Sequence, residues 1–424
     1  MAKWTKTRLK DVARINPDTR FPASGSVDFF PMEAIEENGG LTRGMWKPVA
    51  DAGSYSQFSN GDILFAKVTP CFENKKCALA EGMERGVGLA TTEVIVLRPS
   101  KRVDPRFLLY RLQARDFQQF GVNVMRGVGG LKRVPDRAVG AFEFLLPPME
   151  EQKRIVDGLE REFDLLTRRA EAFGRKRNAL SRARQALREA AVFGRDGSHP
   201  DTIPSETAWH GEIPPHWKID RIASFFREAT ASGPATLPIL SVSIHSGISD
   251  KELGDEDGAR KVSRSEDKSL YKRVSPRDLV YNQMRAWQGG FGVARVEGLV
   301  SPAYVVARPM AGVNSEYIEH LLRSPSAIEE MRRRSRGIID FRLRLYWDKF
   351  KDIRIPVPPQ EEQDAIVRKL GTKLFLVDRQ VALLDRLQAA LADQRSALVD
   401  DLVTGAMPPP QLHLARAEEL TAVA

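Results

Sequence analysis

Between Arg323 and Arg344 the chain carries seven arginines, Arg323, Arg332, Arg333, Arg334, Arg336, Arg342 and Arg344, against three acids, Glu329, Glu330 and Asp340. A guanidinium forms bidentate bonds to phosphate and to the guanine edge in a way an ammonium does not. Such a cluster therefore points to a nucleic acid; the plain alternative is a solvated helix face in which single arginines are neutralised by acids such as Glu329 and Asp340. An earlier loop, "MRGVGGLKR" at 125–133, offers Arg126, Lys132 and Arg133. Both loops stand just upstream of a short strand that runs into Pro-Pro, "AFEFLLPP" and "DIRIPVPP". Lys67, Gln283 and Arg285 join the candidate DNA-contacting set, at or just beyond the ends of two corresponding segments, "GDILFAKV" (61–68) and "RDLVYNQM" (277–284).

Other chemistries lack their constellations. The Pro-Pro pairs are flanked by Leu146 and Met149, Ile213 and His216, and Val357 and Gln360, so the catalytic tetrapeptide of amino-methyltransferases is absent. "GVGG" at 127–130 is followed by no Gly-Lys-Ser/Thr, which a phosphate-cradling loop needs. There is no Gly-x-Ser-x-Gly elbow. The six histidines, His199, His210, His216, His245, His320 and His413, are scattered without metal-ligand spacing. The expectation is no catalytic residue, no metal and no cofactor in this chain. Glu150, Glu151, Glu361 and Glu362 read as first-turn acids that offset a helix dipole.

The elements that must position the candidates occur twice. "PPMEEQKRIVDGLEREFDLL" begins at Pro147 and "PPQEEQDAIVRKLGTKLFLV" at Pro358. Leu159, Leu166, Phe173, Leu180 and Leu187 recur every seven residues, and their counterparts 211 residues on are Leu370, Val377, Leu384, Leu391 and Leu398. Five heptads exceed an ordinary amphipathic helix and predict a coiled-coil seam in each copy. The companion positions turn polar at the same steps, Arg177 and Arg184 against Gln388 and Arg395, which penalises slipped registers. Ahead of each helix lies a segment of short strands, and Asp62 corresponds to Asp278. "GLATTEVIVLRP" (88–99) matches "GLVSPAYVVARP" (298–309), and a helical stretch follows at 105–119 and at 315–334. Equal order with low identity predicts one fold carrying two different surfaces. The divisions are 1–146 globular, 147–194 helix, 195–215 linker, 216–357 globular, 358–405 helix, and 406–424 a flexible tail.

At 424 residues the chain can hold two or three cores. A net charge of +9 and a pI near 9.5 favour a polyanionic partner. No stretch matches a membrane span or secretory signal, and Cys71 and Cys77, without a CxxC partner, read as structural thiols of a reducing compartment. A cytoplasmic location is expected.

Twin "PPxEEQxxIV" helices half a chain apart, with "WTKTRLKDVA" (4–13) and "GEIPPHWKIDRIA" (211–223) opening the two globular segments, resemble the specificity subunit of type I restriction-modification enzymes. The resemblance covers nearly the whole chain and fails only in the last twenty residues. It implies an α+β fold: two α/β target-recognition domains in a pseudo-two-fold tandem repeat, separated by two long helices forming an antiparallel coiled coil. It further implies that each domain reads one half of a bipartite, non-palindromic double-stranded DNA site. The helices would set the spacing and dock two copies of a methylation subunit, with restriction subunits left open as further partners. S-adenosylmethionine and ATP/Mg would then reside on partner subunits. Two other classes stand beside this reading: a nuclease or methyltransferase with fused recognition domains, and a coiled-coil scaffold binding RNA or protein.

Overall fold

The computed structural model describes residues 4–37, 39–42, 44–128, 130–244, 247–249, 269–337 and 343–407. Arg342, Asp340, His245, His413 and residues 408–424 of the expected tail lie outside the described residues. The chain divides into two compact units, one made of Met1–Phe173 with Arg386–Ala424, the other of Gly174–Asp385.

Each Pro-Pro pair opens a long helix, Met149–Val192 and Gln360–Val403, with Glu150, Glu151, Glu361 and Glu362 in the first turns. In the first unit the opening stretch of the first helix packs on the closing stretch of the second. Ile155, Leu159, Phe163 and Leu166 share a core with Leu391, Leu398 and Leu402. In the second unit Leu187 and Ala191, near the end of the first helix, meet Ile366, Leu370 and Leu374, near the start of the second. Within each unit the two helical stretches therefore run in opposite directions. Ion pairs mark the register in the second unit, Arg177–Asp385 at 2.8 Å and Arg184–Asp378 at 2.9 Å: seven residues forward on one helix meet seven back on the other. Leu159, Leu166, Leu370, Leu384, Leu391 and Leu398 are buried. Phe173, Leu180, Leu187 and Val377 are half-buried, because the arginines beside them reach out to surface acids and leave the seam partly wet. Arg395 instead lies over the Phe163 ring, 3.6 Å from its centroid.

The globular part of each unit is framed alike. In the first, a four-stranded antiparallel sheet has the order Ala13–Ile15, Val94–Pro99, Ile63–Ala66, Cys77–Leu79. In the second the order is Phe226–Glu228, Tyr304–Pro309, Leu279–Asn282, Phe291–Val293. A strand pair leads to each Pro-Pro: Thr5–Arg8 with Glu143–Leu146, and Lys218–Arg221 with Arg354–Val357.

Two devices recur in both frames. Asp62 is 1% exposed and takes a bidentate bond from Arg98, at 2.8 and 2.7 Å, while accepting from the Ser59 amide. Asp278, also 1% exposed, takes the same fork from Arg308, at 3.0 and 2.8 Å, and accepts from the Ser275 amide. A charge buried this deeply is tolerable only when paired and fully hydrogen-bonded, so the turn before the central strand is stapled to its neighbour. The second device is the glutamine of "EEQ". Gln152 accepts from the Asp104 amide (2.7 Å) and donates to the carbonyls of Pro147 (2.8 Å) and Arg102 (3.2 Å). Gln363 accepts from the Asn314 amide (2.7 Å) and donates to those of Pro358 (2.9 Å) and Gly312 (3.3 Å). Both glutamines are fully buried, and each hooks the start of a long helix to the residue that caps a shorter helix earlier in the chain, Asp104 for Pro105–Gln113 and Asn314 for Ser315–Leu322.

Each expected helical stretch is two helices. Pro105–Gln113 and Arg115–Val124 break at Ala114, where Asp400 of the second long helix accepts from the Arg115 amide at 2.6 Å. Ser315–Leu322 and Pro325–Arg334 break where Pro325 can donate no backbone bond and Ser324 caps the next turn. The linker is ordered: Ile203–Pro204 pairs with Glu212–Ile213 around a short 3-10 turn, Ala208–His210. Both cysteines are free thiols, and burial pushes the Cys77 thiol up to about 12. No helix among the described residues is long and apolar enough to cross a membrane.

Candidate nucleic-acid interface

Beyond the central strand of the first unit the backbone continues into Lys67–Thr69 and meets the loop that carries Arg126, Lys132 and Arg133. Val134 donates to the Lys67 carbonyl at 2.8 Å, and Thr69 bonds Lys132 through both its amide and its hydroxyl. Arg126 and Arg133 exchange both backbone bonds, at 2.9 and 2.8 Å, and so close the neck of the loop. Gly127 has φ +133°, and an added Cβ would sit 2.8 Å from the Leu131 carbonyl, so the neck requires glycine there. Beyond it the loop stands open to solvent, with Val128 94% and Leu131 62% exposed.

The second unit repeats the neck in the same place. Arg336 and Arg344 exchange backbone bonds at 3.0 and 2.9 Å, and Leu345 donates to the Gln283 carbonyl at 3.0 Å, as Val134 does to Lys67. Lys67 and Gln283 are thus structural counterparts with different side chains, although the sequence placed them by strand position alone.

Charge partners sort the candidates. Lys67 pairs with Asp136 at 3.3 Å, and Arg133 grips Glu93 through two bonds of 2.8 and 2.7 Å. That hydrogen bonding holds the Glu93 carboxyl below its ordinary range. In the second unit Arg334 (2.6 Å) and Arg333 (3.6 Å) converge on buried Glu330, the acid next to the expected Glu329, and Arg336 reaches Asp348 at 3.5 Å. Arg332 lies over the Trp287 ring at 5.8 Å, and Arg285 bonds Gln288 at 2.8 Å. Arg126, Lys132, Arg285 and Arg344 are exposed, and among the described residues no carboxylate pairs with them. Among the described residues of the candidate set, Arg126 and Lys132 in one unit and Arg285 and Arg344 in the other are thus placed to meet a phosphate.

Sequence reasoning missed three features. The buried glutamine hooks were legible only as a repeated letter. Leu165 and Leu376, 211 residues apart, are exposed at 46% and 54%, together with Phe375 at 61% and Leu383 at 48%. Apolar side chains left on matching outer faces of two helices are suited to a partner. Finally, two histidines expected to be scattered converge on one carboxylate: His199 Nε2 is 2.7 Å from Glu362 Oε1, and His216 Nε2 is 2.9 Å from Oε2.

Each of the two compact units thus carries one stapled sheet and one loop neck closed by a pair of arginines. Residues 1–172 match the type I restriction modification DNA specificity domain. The chain is 36% identical over 159 residues to the type I restriction enzyme EcoAI specificity subunit of Escherichia coli, a match that covers 36% of this chain and 27% of that protein. To the EcoEI specificity subunit of the same organism it is 34% identical over 157 residues, covering 36% and 26%. The matched stretch thus spans about a quarter of these relatives' length. A chain from a structure on complex assembly and conformational transition of the type I R-M system aligns with TM-score 0.69 at 20% identity, over 96% of this chain and 98% of that one. The HsdS subunit from Thermoanaerobacter tengcongensis aligns with TM-score 0.54, also at 20% identity, over 96% and 97%. Residues 1–172 therefore carry a type I restriction modification DNA specificity domain, and the fold over 96% of the chain is the one these two solved structures share.

Proposed function

We propose that this chain is the DNA-recognition subunit of a type I restriction-modification complex, acting in the cytoplasm. Each globular domain, 1–146 and 216–357, reads one half of a bipartite, non-palindromic duplex site. The observation that carries this reading is the repeated frame: the same Asp-Arg staple, glutamine hook and loop neck present different side chains in the two units. The helices at 147–194 and 358–405 set the gap between the half-sites and dock two methylation subunits; the matched exposed Leu165 and Leu376 support two like partners. The chain itself is non-catalytic, with S-adenosylmethionine held by the methylation subunits and ATP/Mg by restriction subunits.

Single-molecule sequencing of modified bases, in a host carrying this chain with its methylation subunit, tests the reading. The expected site is two different short blocks around an unspecified gap of about 5 to 8 base pairs, with block centres near one duplex turn apart. A single block or a palindrome contradicts it. Inserting one heptad after Leu166 and one after Val377 adds roughly 10 Å at 1.5 Å per residue, about three base pairs of gap. Both blocks should stay the same.

A further inference from the structure

We infer that the second unit binds one divalent transition-metal ion of the zinc type between His199, His216 and Glu362. The three side chains offer two imidazole nitrogens and a carboxylate, with ligand atoms all within 4.8 Å of one another. His199 comes from the linker, His216 from the first residue of the second globular segment, and Glu362 from the first turn of the second long helix.

The hydrogen bonds around His199 orient its ring as a ligand would need. Its Nδ1 faces the Gly194 carbonyl at 3.3 Å and the Ser198 hydroxyl oxygen at 3.2 Å. Ser198 spends its one hydroxyl hydrogen on the Asp196 carboxylate, so both neighbours of Nδ1 are acceptors and the ring hydrogen belongs on Nδ1. In the neutral ring Nε2 then carries a lone pair, yet it faces Glu362 Oε1, which also accepts from the Trp217 indole N–H at 2.8 Å. Two lone pairs so close repel unless a proton or a metal ion lies between them, and the second is the occupant proposed here. A backbone carbonyl that takes the Nδ1 hydrogen and presents Nε2 is the usual support of a metal-bound histidine.

The dimensions fit with little movement. Donor atoms around tetrahedral zinc at bond lengths of 2.0–2.1 Å lie about 3.3 Å apart, so each nitrogen–oxygen gap must open by about half an ångström. His216, with 49% of its side chain exposed, supplies the mobile ligand and leaves an open fourth position toward solvent. Two imidazoles with one carboxylate suit zinc, copper or nickel and not magnesium or calcium. The metal would fasten the linker to the start of the second long helix. Residues 1–173 contain no histidine, so the counterpart Glu151 has no such site.

The test uses the full chain without a polyhistidine tag, stripped with chelator. Zinc is titrated against a chromogenic chelator, and cobalt is followed by visible absorption. One equivalent of zinc and a four-coordinate cobalt spectrum are expected, both lost in His199→Ala and in His216→Ala and both kept in Cys71→Ser. Far-ultraviolet circular dichroism checks that the variants fold; His216 is exposed enough that its alanine variant should. Absence of a stoichiometric equivalent in the unmodified chain, or its retention in both histidine variants, overturns the proposal and leaves an imidazolium–carboxylate pair or an adventitious ion only.

Discussion

The two units differ least where they are buried and most where they project. Asp62 with Arg98 and Asp278 with Arg308 repeat almost atom for atom, as do Gln152 and Gln363. The loops above them do not. The first unit closes its neck between Arg126 and Arg133 and neutralises Arg133 on Glu93; the second closes its neck between Arg336 and Arg344 and neutralises Arg334 on Glu330. The second sheets diverge too. Ser26–Phe30 lies between Met45–Pro48 and Val87–Ala90 in a four-stranded sheet, whereas the described residues of the other unit form the two-stranded pairs Lys272–Val274 with Gly298–Val300 and Val242–Ser243 with Gly247–Ile248. A frame built on buried Asp62, Asp278, Gln152 and Gln363 tolerates little change, while exposed side chains at the necks can change freely. On the proposed function, that division of labour is what lets one architecture carry two specificities.

The largest effect that would break the comparison lies in the helices. Leu391 is 9% exposed and Leu180 only half-buried, so Leu391→Asp should cost on the order of 4–5 kcal/mol by burying an unpaired charge, and Leu180→Asp distinctly less. Equal melting of the two variants would show that the polar steps at Arg177 and Arg184 do not loosen the seam.

Next come the staples. Asp62→Ala and Asp278→Ala each strand an arginine against a dry turn and should each cost about 3 kcal/mol. Gln152→Ala and Gln363→Ala orphan a buried amide and carbonyls, at about 1–3 kcal/mol. Chemical denaturation should find the members of each pair alike, and a clear inequality within a pair would mean that the frames are not equivalent.

The smallest predicted difference concerns acid. Burial lowers His210 to about 4, and burial with neighbouring Arg188, Arg323 and Arg184 lowers His320 to about 3. Between those values and the ordinary 6.5 the unfolded chain binds more protons than the folded one, so stability falls as pH drops from about 6.5 toward 4. Residues 1–173 have no histidine. Limited proteolysis at pH 5 should therefore loosen the second unit before the first, and the opposite order would refute the assignment.

How much was legible in the chain follows the same division. Apolar heptads, Pro-Pro stops and matched strand order are periodic signals, and they marked both long helices and both sheets. The necks were approximated because loops at equal distances from Pro-Pro must leave the same frame. What stayed hidden depends on contacts between distant residues. The pairs of Glu330 with Arg333 and Arg334 follow the three- and four-residue spacing of one helix and were within reach of the sequence, whereas nothing around His199 or His216 says that they meet Glu362, 163 and 146 residues on. The break at Ala114 depends on Asp400 in the same way.

The central claim is that each unit reads its own block of DNA. Replacing Arg126 and Lys132 together by alanine, and separately Arg285 and Arg344, followed by sequencing of the modified bases laid down by the assembled methylation complex, tests it most directly. A side chain that reads a base should cost ~1–3 kcal/mol, mainly on its cognate block. The account predicts that each double variant relaxes one block, a different one in each case, and leaves the other block and the gap unchanged. Loss of specificity in both blocks from either variant, or in neither block from both, would contradict it.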